Sequence, residues 1–217
     1  MRNRAPFALL LLGVVLMCSA VLLAVYNLNV QDQAGRDSEE ISENLTQYIP
    51  VVRSENGRPL QVPSEQTPQQ AQEPVAEETP DFILNPEMPM PAIEIDGKRY
   101  IGMLNIPYLG LRLPVAAEMT NEQLRLTPCK YYGSAYTDDF VIGGHNYNSH
   151  LGGIHVLPQG SLVEFLDADG NLFTYHVAEM EILNPEDVSP MVESGYPLTL
   201  FTCTLGGQQR VTIRCSK

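Results

Sequence analysis

Apolar and polar positions divide the chain into three textures. Phe7 to Tyr26 (FALLLLGVVLMCSAVLLAVY) is an unbroken apolar run with no charge. A hydrocarbon core of about 30 Å needs roughly 20 such residues as a helix. Residues 27–91 show no sustained period and are rich in Gln, Glu, Ser and Pro, as in PSEQTPQQAQEPVAEETP from Pro63 to Pro80. Such a stretch buries too little apolar surface to offset its ordering entropy. A short helix over Asp37 to Tyr48, capped by Asp37 or Ser38, is the one element expected there.

From Ala92 onward the pattern changes to short runs of period two, separated by turn residues. IEIDGKRYIGMLNIP places Asp96-Gly97 between two apolar runs, a hairpin signal. LGLRLPV alternates, FVI is short and apolar, and SLVEFLDADGNLFTYHVAEMEIL carries a second hairpin at Asp169-Gly170. LTLFTC and RVTIRC complete the set. Helical pieces are predicted at Thr120 to Leu126 and Leu151 to Leu157. Many short strands with frequent turns predict an all-β closed or sandwiched fold.

The domain reading is therefore a short N-terminus at 1–6, a membrane anchor at 7–26, a polar linker at 27–91 and a β domain at 92–217. Arg2 and Arg4 precede the anchor and the first acid follows at Asp32. The positive flank predicts a cytoplasmic N-terminus, a single pass and an extracellular domain. A cleaved signal peptide would have a shorter apolar core. Charge supports the tether: residues 27–91 hold twelve acids against three arginines, and the whole chain carries −13. That excess makes nucleic acid an unsuitable partner. Four cysteines in 217 residues are too few for a disulfide scaffold. A pairing of Cys129 with Cys215, or of either with Cys203, stays open at this level. No metal-ligand cluster or cofactor motif is present, so no cofactor is expected.

Cys203 ends the run Leu198 to Cys203, where a strand gives way to the turn TLGGQQ. Strand alternation puts Thr199, Phe201 and Cys203 on one face. A free cysteine is most often a small buried apolar residue, so position alone does not make it a nucleophile. His145 follows Gly143-Gly144 at another strand end, where an imidazole can carry protons near neutral pH. His176 lies within a strand run, and His150 and His155 flank a helical turn; these are weaker candidates. Arg210 opens the strand after the Cys203 turn. Its planar, permanently charged donor group suits a developing oxyanion.

Thr199-Leu200-Phe201-Thr202-Cys203 resembles the T-L-x-T-C signature of the sortase family. Gly144-His145-Asn146 resembles its histidine segment, and Leu151, Ile154, Leu157 and Gly160 resemble its helical turn into the next strand. Ile101-Gly102-x-Leu104-x-Ile106-Pro107 and Leu113-Pro114-Val115 resemble its early strands. The resemblance implies an eight-stranded β-barrel and a cysteine transpeptidase with Cys203 as nucleophile, His145 as acid/base and Arg210 as stabilising cation. Thr202 is expected to touch substrate. It also implies partners: secreted proteins bearing an LPxTG-like sorting signal, and an amine acceptor on a peptidoglycan precursor. The aspartate-proline-aromatic lid of pilin-type sortases is not found, and the Asn184 to Pro197 loop is short beside the long helix of class B, which leaves a class D-like or another small group open. Two alternatives remain at the level of sequence: a thiol peptidase releasing the same signal to water, and a non-enzymatic anchored β domain binding a wall component.

Overall fold

The computed structural model describes residues 5–50, 53–54 and 79–217. Residues 1–4 and the tether stretch 63–78 lie outside them. Helix α1 spans Ala5–Tyr48. Strands β1 (Arg53–Ser54), β2 (Ile93–Ile95), β3 (Lys98–Ile106), β4 (Leu111–Ala116), β5 (Cys129–Tyr132) and β6 (Phe140–Gly144) follow. Then come β7 (Leu162–Asp167), β8 (Asn171–Leu183), β9 (Leu198–Cys203) and β10 (Arg210–Ser216). Three short helices, α2 (Asp81–Leu84), α3 (Asn121–Leu126) and α4 (Val188–Val192), sit between them, with 3-10 turns at Pro107–Leu109 and Gly152–Val156.

Eight strands close into a barrel in the order β3, β4, β5, β6, β9, β10, β8 and β7, with β7 returning to β3. β2 extends β3 at the margin, and β1 adds in parallel to the start of β8. The period-two runs behave as predicted. Along β7 and β8, Val163, Phe165, Phe173, Tyr175 and Val177 point inward and are buried. Phe140 meets Phe165 edge-on at a centroid distance of 4.9 Å. The Asp96-Gly97 hairpin forms, with both residues at positive φ (50° and 72°), the conformation such a turn demands. Thr120 caps α3, its hydroxyl accepting from the Gln123 amide at 3.1 Å. Gly102 sits at a bulge facing β7. A Cβ there would lie 2.1 Å from the Leu166 carbonyl oxygen, so only glycine lets β3 and β7 approach.

The linker reading needs correction. Residues 27–48, expected mainly as solvated tether, continue α1 without a break. Ala34, Ser38, Ser42 and Leu45 recur at helical spacing and are buried. Three of the four are small, and the stripe lets the helix lie close against the barrel. Ile41, Leu45 and Ile49 pack with Tyr100, Met103, Ala116 and Cys129. Arg112 donates from Nη2 to Thr46 Oγ1 at 3.1 Å, and Ser149 donates from Oγ to the Gln31 carbonyl at 3.2 Å.

A second device holds α4 against the barrel. Arg214, on β10, is 2% exposed. Its Nε donates to Glu181 at 2.6 Å, Nη1 to Thr199 Oγ1 at 2.9 Å and to the Met191 carbonyl at 3.2 Å, and Nη2 to the Pro190 carbonyl at 2.6 Å. One guanidinium thus ties three strands to one helix. Replacing Arg214 with Ala leaves two carbonyls and a buried hydroxyl without donors, while Glu181 can turn to water. Each orphaned group costs about 1–3 kcal/mol. Urea unfolding of Arg214→Ala is expected to show a loss on the order of 3 kcal/mol. Arg214→Lys should recover only part of it, because one ammonium cannot meet four acceptors in a plane.

Candidate active site

Parallel pairing of β6 with β9 sets Gly144 opposite Thr202. The next residues, His145 and Cys203, therefore leave their strands side by side. β10 runs antiparallel to β9 with Arg210 directly opposite Cys203, and directly opposed residues share a face of the sheet. Neighbouring strands lie about 4.8 Å apart. The thiol is thus the middle member of a row: imidazole on one side, guanidinium on the other. All three residues line one cavity of about 240 Å³. The three residues singled out in the sequence thus lie at one mouth.

The walls are mostly apolar. Met119 and Leu124 come from the β4–β5 connection, Tyr131 from β5, Phe201 from β9, and Val188 and Met191 from α4. Tyr131 meets Phe201 edge-on, with centroids 5.3 Å apart. Gly143 permits this floor, since a Cβ there would lie 2.4 Å from the Phe201 ring and 2.6 Å from the end of Met119. Glycine at this point is a packing requirement rather than a hinge.

His145 is half-buried. Burial holds its pKa below the ordinary value, and the nearby charge of Arg125 lowers it further. The imidazole is then mostly neutral near pH 7 and able to accept a proton. Its ring lies against Tyr147 at 4.9 Å, and Tyr147 lies against His150 at 5.4 Å. Arg210 Nη1 donates to the Gly207 and Gln209 carbonyls, both at 3.2 Å, which folds its side chain back over its own turn.

Thr202, expected to touch substrate, sits within the sheet. It is 2% exposed, alternates away from Cys203, and does not line the cavity. Its hydroxyl donates to the Gly144 carbonyl at 2.9 Å. It staples together the two strands that deliver His145 and Cys203. The disulfide alternatives also fall away: all four cysteines are free. Cys129 and Cys215 are buried, and burial pushes each thiol up to about 12, which leaves them inert as thiolates. Arg214 lies in the α4 network away from the cavity, His176 is exposed on its strand, and His155 binds the Gly152 carbonyl through Nδ1 at 2.9 Å.

The family model described as the Sortase domain matches residues 104–217. The chain belongs to the sortase family. It is accordingly a cysteine transpeptidase, and the closed eight-stranded barrel is the family's fold. Among solved structures, it is similar to the Clostridium perfringens sortase D5 transpeptidase, at 20% identity and a TM-score of 0.46, over 54% of this chain and 78% of that one. Sortase C1 from Streptococcus agalactiae aligns at 21% identity and a TM-score of 0.49, over 57% and 69%. Sortase C1 from Streptococcus suis aligns at 19% and 0.47, over 54% and 72%. No curated protein sequence matches the chain.

Several residues of the sortase site gave no signal in the sequence. Arg125, Met119, Val188 and Met191 come from segments without a motif, and reach the site only through tertiary packing. His150 is another. It is fully buried beneath α1, and neither ring nitrogen has a well-formed hydrogen bond. Burial drives its pKa from 6.5 to about 4, against the weaker opposing effect of the Ala34 and Leu126 backbone. Above pH 6.5 the ring is neutral in both folded and unfolded chains. As pH falls from 6.5 toward 4, the unfolded chain takes up a proton that the folded one refuses, so stability is lost. The full effect is on the order of 3 kcal/mol at 1.36 kcal/mol per pKa unit. Urea midpoints at pH 7 and pH 4.5 should therefore differ more for the wild type than for His150→Asn.

Proposed function

We propose that this sortase cleaves an LPxTG-like sorting signal with Cys203 as nucleophile, His145 as acid/base and Arg210 as oxyanion cation. The observation that carries the reading is the row of His145, Cys203 and Arg210 on three adjacent strands at one cavity. The Cys203 thiolate attacks the carbonyl carbon of the scissile peptide. The developing oxyanion is met by the Arg210 guanidinium, whose planar donors suit it. His145, neutral at rest, takes the thiol proton and passes it to the departing amine, leaving a thioacyl enzyme. An amine on a cell-wall precursor then gives its proton to His145 and attacks the thioester. A peptide bond forms and the thiol is restored. The apolar walls at Met119, Leu124, Phe201 and Met191 suit the leucine and proline of such a signal.

The same reading makes α1 the anchor. Its N-terminal half is long and apolar enough to cross a membrane, and none of that apolar window is buried in protein. Leu10, Leu16 and Leu22 are each at least 60% exposed, which is unsustainable in water for a whole helical surface. Arg2 and Arg4 assign the N-terminus to the cytoplasm and the barrel to the outside.

Single-turnover assays with sorting-signal peptides and amine acceptors, read by mass spectrometry, test the roles. Cys203→Ala should abolish both cleavage and the thioacyl adduct. His145→Ala should lose about 10²–10⁴-fold, and Arg210→Ala about 10²–10³-fold. Arg210→Lys should stay severely impaired despite its charge. A folded Cys203→Ala enzyme that still cleaves would refute the nucleophile, and a silent His145→Ala beside a dead His150→Ala would move the base.

A further inference from the structure

The anchor and the dock of α1 belong to one uninterrupted helix, so the height of the barrel above the membrane is fixed by residue count. The unbroken apolar run ends at Tyr26. Five residues later the Gln31 carbonyl accepts the Ser149 hydroxyl. At 1.5 Å per residue that is about 8 Å along the helix. The polar layer outside the hydrocarbon core is about 5–8 Å deep on each side. Ser149, and the loop that carries His145, therefore stand at the outer edge of that layer.

The contacts of α1 decide which end of the barrel lies nearest its apolar run. Gly35 lies against Ser149, with 3.1 Å between its Cβ position and that of Ser149. Further on, Thr46 meets Arg112, and Leu45 packs with Tyr100 and Ala116. Ala116 pairs with Cys129 and Cys129 with Gly143, so α1 crosses the barrel near the level at which β6 delivers His145. On the neighbouring side, β9 runs down to Cys203 and turns through Leu205, which is 95% exposed. Single exposed leucines are common; the position of this one sets it apart. Leu205 shares one cleft of about 830 Å³ with Tyr26, Asn27, Arg125, Asn146 and Tyr147. The tip of the catalytic hairpin and the last residue of the apolar run line the same space.

We infer that the active-site end of the barrel faces the bilayer that α1 crosses, with Leu205 seated in the lipid headgroup layer. The inference rests on the reading of α1 as a membrane span. The lipid surface is the partner of this face. The cavity mouth then opens toward the membrane, and a substrate segment enters from the bilayer side rather than from bulk solvent.

The chain contains no tryptophan, so a single introduced indole reports its own depth. Leu205→Trp places it at the hairpin tip, where exposure makes the change harmless to the fold. Tyr196→Trp places it just before the start of β9, at least about 17 Å away at strand rise. Each full-length variant is reconstituted into phosphatidylcholine vesicles carrying a headgroup nitroxide, and floated before measurement. The expected result is that both variants float, and that the fluorescence of Leu205→Trp is quenched more than about two-fold further than that of Tyr196→Trp, given that separation. Floating chains with equal quenching in the two variants, or with stronger quenching in Tyr196→Trp, overturn the inference while leaving the anchor intact. A chain that fails to float overturns the anchor reading and the inference together.

Discussion

Two parallel strands that end at the same level leave their next residues as neighbours, and the chemistry of this protein is built on that pairing. β6 and β9 run together from Phe140 and Leu198 to Gly144 and Thr202. The Thr202 hydroxyl locks the register by bonding the Gly144 carbonyl. A slip of one residue would turn Cys203 to the opposite face. β10 then supplies Arg210 opposite the thiol through a short turn. The apolar cavity, the row of His145, Cys203 and Arg210 and the buried α4 network all take their position from this three-strand unit.

Around that unit, two supports act from opposite sides. Arg214 fixes α4, and α4 contributes Val188 and Met191 to the cavity wall. α1 covers the His145 loop, burying His150 and bonding Ser149. His145, Tyr147 and His150 form a continuous stack of rings from the cavity to α1. The helix that carries the candidate membrane span is thus also part of the scaffold of the site.

Much of the barrel is legible in the sequence because its signals are local. Period-two runs, Asp96-Gly97 and Asp169-Gly170 turns, and the Thr120 cap each act within a few residues. Hairpin reasoning alone places Cys203 beside Arg210, whereas His145 joins them only through the family resemblance. The misreadings have a common cause. Ala34, Ser38 and Ser42 are small or polar, so the docking face of α1 has no hydrophobic signature even though it is buried. Thr202 belongs to a signature, and its bond to the Gly144 carbonyl lies on a partner strand far away in sequence. Arg214 and α4 are bound by contacts between segments far apart in sequence, which no window along the chain reveals.

The β6–β9 pairing also sets the order in which the molecule assembles. Hairpins such as β7–β8 close through a two- or three-residue turn, at small entropic cost. β6 cannot meet β9 until residues 145–197, with that hairpin inside them, have folded back. Closing a loop of that length is slow and unrewarded until the contacts form. His145 and Cys203 therefore become neighbours among the last events of folding. A chain whose barrel is incomplete keeps Cys203 apart from His145, so the candidate site exists only once β6 and β9 have paired.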